Sequence, residues 1–265
     1  MAVKLKDLIN VIETAAPLGL MESWDNAGLA IGDPEAMIQK VLVGMDVTGD
    51  LIDEAQMLGA TLILTHHPLL FNRPNAITTL DPQGQNIRRL IKQDMNVYSA
   101  HTNLDKAKGG MNDQLMALLG FSNYGPLEEG ILEGIGRISE INPIALGDLI
   151  SHVSDQLGVK DIRYCGPTDQ MICKVAVING AGADFIMVAK AAGADCVITG
   201  DTKYHEMLDA QSTGIAVIDP GHFASEWPVF QMTMAKVQQT ILKDLGEVEF
   251  NYSKVTQDPI CFYRR

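Results

Sequence analysis

Four short stretches of the chain combine imidazoles with carboxylates at spacings that suit metal ligation or proton transfer. The first is Thr65-His66-His67-Pro68, which closes the apolar run TLILT. Neighbouring strand residues point to opposite faces, but at a strand's carboxyl end the chain turns and both rings can reach one site. Pro68 presses His67 into an extended or turn conformation. The second is Ala100-His101-Thr102-Asn103-Leu104-Asp105, after NVYSA. Asp105 reads as a ligand or as a helix cap facing water. The third is Asp219-Pro220-Gly221-His222, followed by Glu226. Their i,i+4 spacing puts His222 and Glu226 on one face of a helical turn. Pro228 suits only a first turn, so this helix is expected to begin close to Glu226, which leaves the shared face open. The fourth is Thr199-Gly200-Asp201, with His205-Glu206 after it. It reads either as part of the site or as a turn aspartate with a surface histidine.

Three histidines with Asp105 and Glu226 give mixed nitrogen and oxygen ligation, which suits Zn²⁺, Mn²⁺, Fe²⁺, Co²⁺ or Ni²⁺. Five protein ligands are too many for one catalytic zinc with an open position, and they suit two ions sharing a carboxylate. Two divalent cations against two carboxylates leave a positive excess, which favours an anionic substrate such as a phosphate ester or nucleotide.

The elements that must hold these residues are strands and helices in alternation. Segment 40–67 aligns without gaps on 174–201, with identities that include Lys40/Lys174, Asp50/Asp184, Gly59/Gly193, Ala60/Ala194 and Thr65/Thr199. Each copy reads as a buried strand, a helix and a second buried strand, paired in parallel by a right-handed crossover. Asp50 and Asp184 are expected to cap the helices, and Gly59 and Gly193 to follow them. A third strand follows in each half, at 96–101 and 215–222. The reading is an α/β fold of two similar lobes from an internal duplication, residues 1–125 and 126–265, interlinked, with ligands at strand carboxyl ends. Within the second lobe a helix is expected from Asn142-Pro143 onward. The tail, with VEFNYS, suits a late edge strand. In Trp24-Asp25-Asn26-Ala27-Gly28-Leu29, Trp24 and Leu29 read as core anchors around a turn; the alternative is that Asp25 or Asn26 borders a cavity.

Composition narrows the partners. The 265 residues carry 20 Lys plus Arg against 33 Asp plus Glu, a net −13. Such a chain repels nucleic-acid phosphates and anionic membranes unless its cations cluster. No apolar run is long enough to span a bilayer, and Asp7 and Glu13 interrupt the first residues, so a cytoplasmic protein with no membrane partner is expected. The four cysteines form no CxxC pair and read as free thiols packed as small apolar groups.

Five motifs in order, WDNAGL at 24–29, THHPLLF at 65–71, AHTNLD at 100–105, TGDTKYHE at 199–206 and GHFASE at 221–226, make the chain similar to the Nif-three-like family, the GTP cyclohydrolase I type 2 homologues. The resemblance runs over essentially the whole chain. It implies two metal ions per chain held by His66, His67, Asp105, His222 and Glu226, with Glu226 bridging. It implies a site formed by the two lobes together, and homohexameric rings built as trimers of dimers. His101 and Asp201 would lie in or beside the cavity as catalytic groups moving protons. The family name implies opening of the guanine imidazole ring of GTP with loss of formate. Arg73, Lys106, Lys108 and Lys203 lie near the motifs and suit a triphosphate, although no P-loop is present. A phosphoester hydrolase, a non-enzymatic metal-binding or regulatory ring, and a nucleic-acid-binding ring are the competing readings; the charge counts against the last.

Overall fold

A computed structural model describes residues 2–131 and 133–263. The chain divides into two compact units, Met1–Leu104 with Gln231–Gln257, and Asp105–Phe230 with Asp258–Arg265. Contacts therefore divide the chain next to Asp105 rather than between residues 125 and 126, and the segment 105–125 goes with the second unit. Its helix Met111–Leu118 packs on the strand Met171–Ala181 of that unit. The C-terminal strand returns to the first unit.

The first unit is built on a five-stranded sheet in the order Glu249–Tyr252, Lys40–Gly44, Leu62–Thr65, Asn96–Ser99, Gly28–Ile31. The first four run parallel and the last is antiparallel. Leu62–Thr65 and Asn96–Ser99 are buried along their whole length, as central parallel strands are. Register decides where the chemistry goes. Gly44 pairs with Thr65 and Thr65 with Ser99, so the three strands end level. Asp46, His66, His67 and His101 all emerge just past that line. The late edge strand expected in the tail is Glu249–Tyr252, beside Lys40–Gly44.

The second unit holds a six-stranded sheet in the order Gly125–Pro126, Arg137–Ala145, Met171–Ala181, Cys196–Gly200, Ala216–Asp219, Arg163–Cys165. Its three central strands are parallel, flanked by antiparallel neighbours. They too end close together, at Ala181, Gly200 and Asp219. A Cβ on Gly200 would lie 2.7 Å from the His222 amide nitrogen and 2.9 Å from the Gly180 carbonyl oxygen, so only glycine lets these chain ends approach so closely. Both copies of the repeat thus fold as strand, helix and parallel strand, over apolar clusters that include Leu42, Ile52, Ile63 and Val97 in one unit and Ala176, Ala189, Val197 and Val217 in the other.

Several local expectations are corrected. Thr48, not Asp50, caps the Gly49–Leu58 helix, accepting from the Leu51 amide at 3.1 Å. Asp50 sits in its first turn, where the helix dipole favours a negative charge. Asp184 lies inside a short 3₁₀ turn rather than capping a helix. Gly59 does end its helix in the left-handed region, at φ 68°. Asn142 and Pro143 lie in the strand Arg137–Ala145, and the helix begins at Leu146. The strand tolerates Pro143 because pairing shifts register there, between Ile172 and Lys174 of its neighbour. The last helix begins at His222 and runs to Asp244 with Pro228 inside it, so the expected start near Glu226 is also overturned. Its first turn is secured from outside the helical ladder, by the Gly180 amide donating to Ser225 Oγ at 3.0 Å. Among the described residues no helix is long and apolar enough to cross a membrane.

Candidate metal centre

In the first unit His66, His67 and His101 each offer a ring nitrogen within 4.8 Å of the other two. His66 is fully buried and its Nδ1 donates to the Ala100 carbonyl at 2.8 Å. His67 Nδ1 donates to Asp46 Oδ1 at 2.8 Å, and His101 Nδ1 to Asp25 Oδ1 at 2.8 Å. None of these acceptors carries a hydrogen, so the proton sits on Nδ1 in every ring. Nε2 then carries the lone pair that a metal or an acid requires. Thr65 Oγ1 bonds Ser99 Oγ and the His67 carbonyl, both at 2.9 Å, which steadies the turn carrying the two adjacent rings.

Asp25 is the strongest anchor. Its side chain is completely buried. The Asn26 amide donates to one oxygen at 2.6 Å, and the Thr102 amide at 3.1 Å and hydroxyl donate to the other. Burial pushes its carboxyl up, but the hydrogen bonds from His101 and Thr102, the neighbouring imidazole and the Asn26 amide outweigh that and hold it at about 2. Asp25 is thus a fixed anion behind His101. Trp24 departs from its expected place: it is 58% exposed, not a core anchor. The motif turns outward because Asp25 must reach inward to His101 and Thr102.

In the second unit His222 and Glu226 share the first helical turn, Nε2 to Oε2 at 2.8 Å. His222 Nδ1 lies 2.8 Å from Asp201 Oδ2, so this ring is held between two carboxylates. Asp201 reaches it from a left-handed backbone, φ 56°, which aspartate tolerates better than most residues. Asp219 takes no part in ligation geometry. It ties the loops together, accepting from the Thr202 amide at 3.0 Å, the Gly221 amide at 2.9 Å and Arg163.

Asp105 is 8% exposed, so it does not face water as a helix cap. Its Oδ1 accepts from Asn179 Nδ2 at 2.8 Å, and the same amide nitrogen reaches Glu226 Oε1 at 3.4 Å. Two buried carboxylates thus share one neutral amide. Asn179 is itself 6% exposed, and among the described residues its Oδ1 has no hydrogen-bond partner. Gly180, at φ +60°, leaves room beside them: a Cβ there would fall 2.0 Å from Glu226 Oε1 and 3.4 Å from His222 Nε2. In this unit the His222 imidazole, two buried carboxylates and a cradle open only to glycine fit a borderline divalent cation.

His205 joins neither cluster; it is exposed and meets Tyr204 edge-on at 5.3 Å. Asp46, Asn179 and Gly180 escaped the sequence reading. The signal for the last two lay in the repeat, where Met45-Asp46 aligns with Asn179-Gly180 and an apolar strand ends on a polar pair. All four cysteines are free, and burial pushes the Cys196 thiol up, as suits a packed apolar group. Asp46→Ala is expected to loosen His67 and lower zinc affinity roughly 10–100-fold, the usual penalty when the hydrogen-bond partner of a metal-binding imidazole is lost. Chelator competition checks this, and unchanged affinity would remove His67 from the ligand set.

A family profile described as Duf34/NIF3 (NGG1p interacting factor 3) matches residues 3–259. A Clostridium perfringens protein named "GTP cyclohydrolase 1 type 2 homolog" is 46% identical over 98% of this chain and 99% of its own. A Clostridium acetobutylicum protein of the same name is 43% identical over 92% of both. Among solved structures, a Bacillus cereus protein related to NIF3 superposes with a TM-score of 0.92 at 27% identity, over 98% of this chain and 99% of its own.

Proposed function

Because the chain belongs to the Duf34/NIF3 (NGG1p interacting factor 3) family, we propose that it binds two divalent metal ions and uses them to hydrolyse GTP or a related nucleotide or phosphoester. The observation that carries this reading is the common posture of His66, His67 and His101, each donating from Nδ1 to an oxygen. Structural surface histidines have no reason to share that tautomer; metal-ligating ones do. In this reading His66, His67, Asp105, His222 and Glu226 are the ligands, as the family resemblance implies. Divalent ions held there supply Lewis acidity and lower the pKa of water toward neutrality.

The chain's own residues do the rest. Asp25 fixes His101 with its proton on Nδ1, so Nε2 can accept a proton and the buried anion stabilises the imidazolium that forms. Asp201 is a positioning residue, because its carboxylate is engaged in orienting His222. Asn179 keeps the two carboxylates side by side. A homohexameric ring goes with the proposal, as the family resemblance implies, and so does the cytoplasmic location expected from the sequence.

The test is metal-by-substrate turnover on protein stripped and reloaded with Zn²⁺, Mn²⁺, Fe²⁺, Co²⁺ or Ni²⁺, following formate and phosphate together. Formate release from GTP that requires metal and falls by roughly two orders of magnitude or more in Asp105→Ala supports ring opening. Phosphate release with the same dependence moves the activity to phosphoester hydrolysis. Silence across nucleotides and phosphoesters, with two ions bound per chain, overturns the hydrolase reading and leaves a metal-binding or regulatory protein.

A further inference from the structure

The imidazole cluster of the first unit is bordered by two large aromatic side chains that the proposed chemistry leaves unused. Trp24 is 58% exposed and Phe71 48% exposed. Their rings meet edge-to-face with centroids 5.8 Å apart. Each also meets His101 edge-to-face, at 6.2 Å for Trp24 and 6.0 Å for Phe71. The three rings form an aromatic corner whose inner wall is an imidazole of the cluster.

The corner is built on fixed supports. Asp25, next to Trp24, is locked to His101 and Thr102. Asn26 Nδ2 donates to the Leu70 carbonyl at 3.0 Å, which ties the Trp24 turn to the Phe71 turn. The Phe71 amide donates back to the Pro68 carbonyl at 3.2 Å. Leaving that much apolar ring surface in water is unfavourable in itself, yet nearby polar bonds hold it there. Edge-to-face packing also leaves ring faces open for stacking.

We infer that Trp24 and Phe71 form a stacking platform for a planar heteroaromatic ring, a nucleobase, at the edge of the imidazole cluster. This deepens the proposed function, since it selects a nucleotide or nucleoside over a simple phosphoester. The indole and His101 centroids are 6.2 Å apart, so a base on the indole face stands beside the cluster. Phosphate contacts are not needed for this step, because every base has a π-face and stacking on aromatic side chains tolerates any of them.

The experiment is tryptophan fluorescence on the zinc-loaded full chain carrying Trp227→Phe, which leaves Trp24 as the only indole. Guanosine is expected to quench it saturably, and inorganic triphosphate is not. Trp24→Ala, followed by calorimetry, is expected to weaken guanosine binding at least about fivefold, with Trp24→Phe retaining most of it. Phe71→Ala is expected to weaken binding in the same direction and confirms that the corner acts as a unit. Equal quenching by triphosphate, or guanosine affinity unchanged in both alanine variants, overturns the platform. The outcomes separate from those of the hydrolase test. Guanosine binding without any turnover keeps the platform and sinks the hydrolase reading. GTP turnover with KM and kcat unchanged in Trp24→Ala and Phe71→Ala does the reverse.

Discussion

Alanine at position 180 is expected to strip the protein of tight metal binding while leaving it folded. Gly180 stands at φ +60°, and a methyl group there would lie 2.0 Å from Glu226 Oε1 and 2.9 Å from its Cδ. Something must move, and the side-chain end is the softer partner. Glu226 is 4% exposed and spans His222 Nε2 and the Asn179 amide, so displacing it breaks both contacts. Zinc affinity is expected to fall by at least about tenfold, more than for a supporting residue at the low end of its range. Backbone strain needs its own control, since any L residue in the left-handed region costs about 1 kcal/mol or more. Gly59 supplies it: φ is +68° there and nothing lies within 4 Å of an added Cβ. Gly59→Ala is expected to lower the unfolding free energy slightly and to leave zinc affinity alone. Wild-type affinity in Gly180→Ala would falsify the placement of Glu226 as a ligand.

The second large effect concerns stability. Arg137 is 4% exposed and Asp113 6%. Arg137 Nε donates to Asp113 Oδ1, while Nη1 donates to the Gly134 and Gly136 carbonyls at 2.8 and 2.9 Å and Nη2 to the Lys106 carbonyl at 3.2 Å. Asp113 Oδ2 accepts from the Gly109 amide. This buried pair therefore clamps the chain immediately after Asp105. Asp113→Ala leaves a buried guanidinium facing backbone carbonyls with its carboxylate partner gone. The expected cost is about 3–5 kcal/mol, because removing one partner strands the other charge. In a chain of this size each kcal/mol moves the melting temperature about 2–4 °C, so the transition is expected to fall by roughly 10 °C. Urea unfolding of Asp113→Ala and Arg137→Met checks it, and a loss under about 1 kcal/mol in both sinks the argument.

The parallel strands were legible in the sequence because burial on both faces favours short runs rich in apolar and β-branched residues, and TLILT, NVYSA and AVID are such runs. The gap-free repeat added the pairing. The His-His pair and His101 were legible because polar residues closing an apolar strand stand out. What position alone does not show is reach across space. The acceptors that fix the rings, Asp46, Asp25 and Asp201, lie 21, 76 and 21 residues from their histidines, and nothing local links them. Pro228 misled for a related reason. The rule against proline inside a helix weighs only the helix's own ladder, whereas this first turn also leans on Gly180 through Ser225. Trp24 misled because an indole is apolar, and the demand of its neighbour Asp25 for an inward position is visible only once His101 is in place.

In the proposed metal site, the clamping of the imidazoles through Nδ1 bears on how ions would be chosen. A ring already held at one nitrogen gives up little rotational freedom when its other nitrogen is taken, so most of the ordering cost falls on folding rather than on capture. Donor atoms set in advance cannot contract or spread to suit a guest. Discrimination then rests on ionic radius and preferred angles measured against a fixed aperture, and cellular supply decides among the ions that pass it.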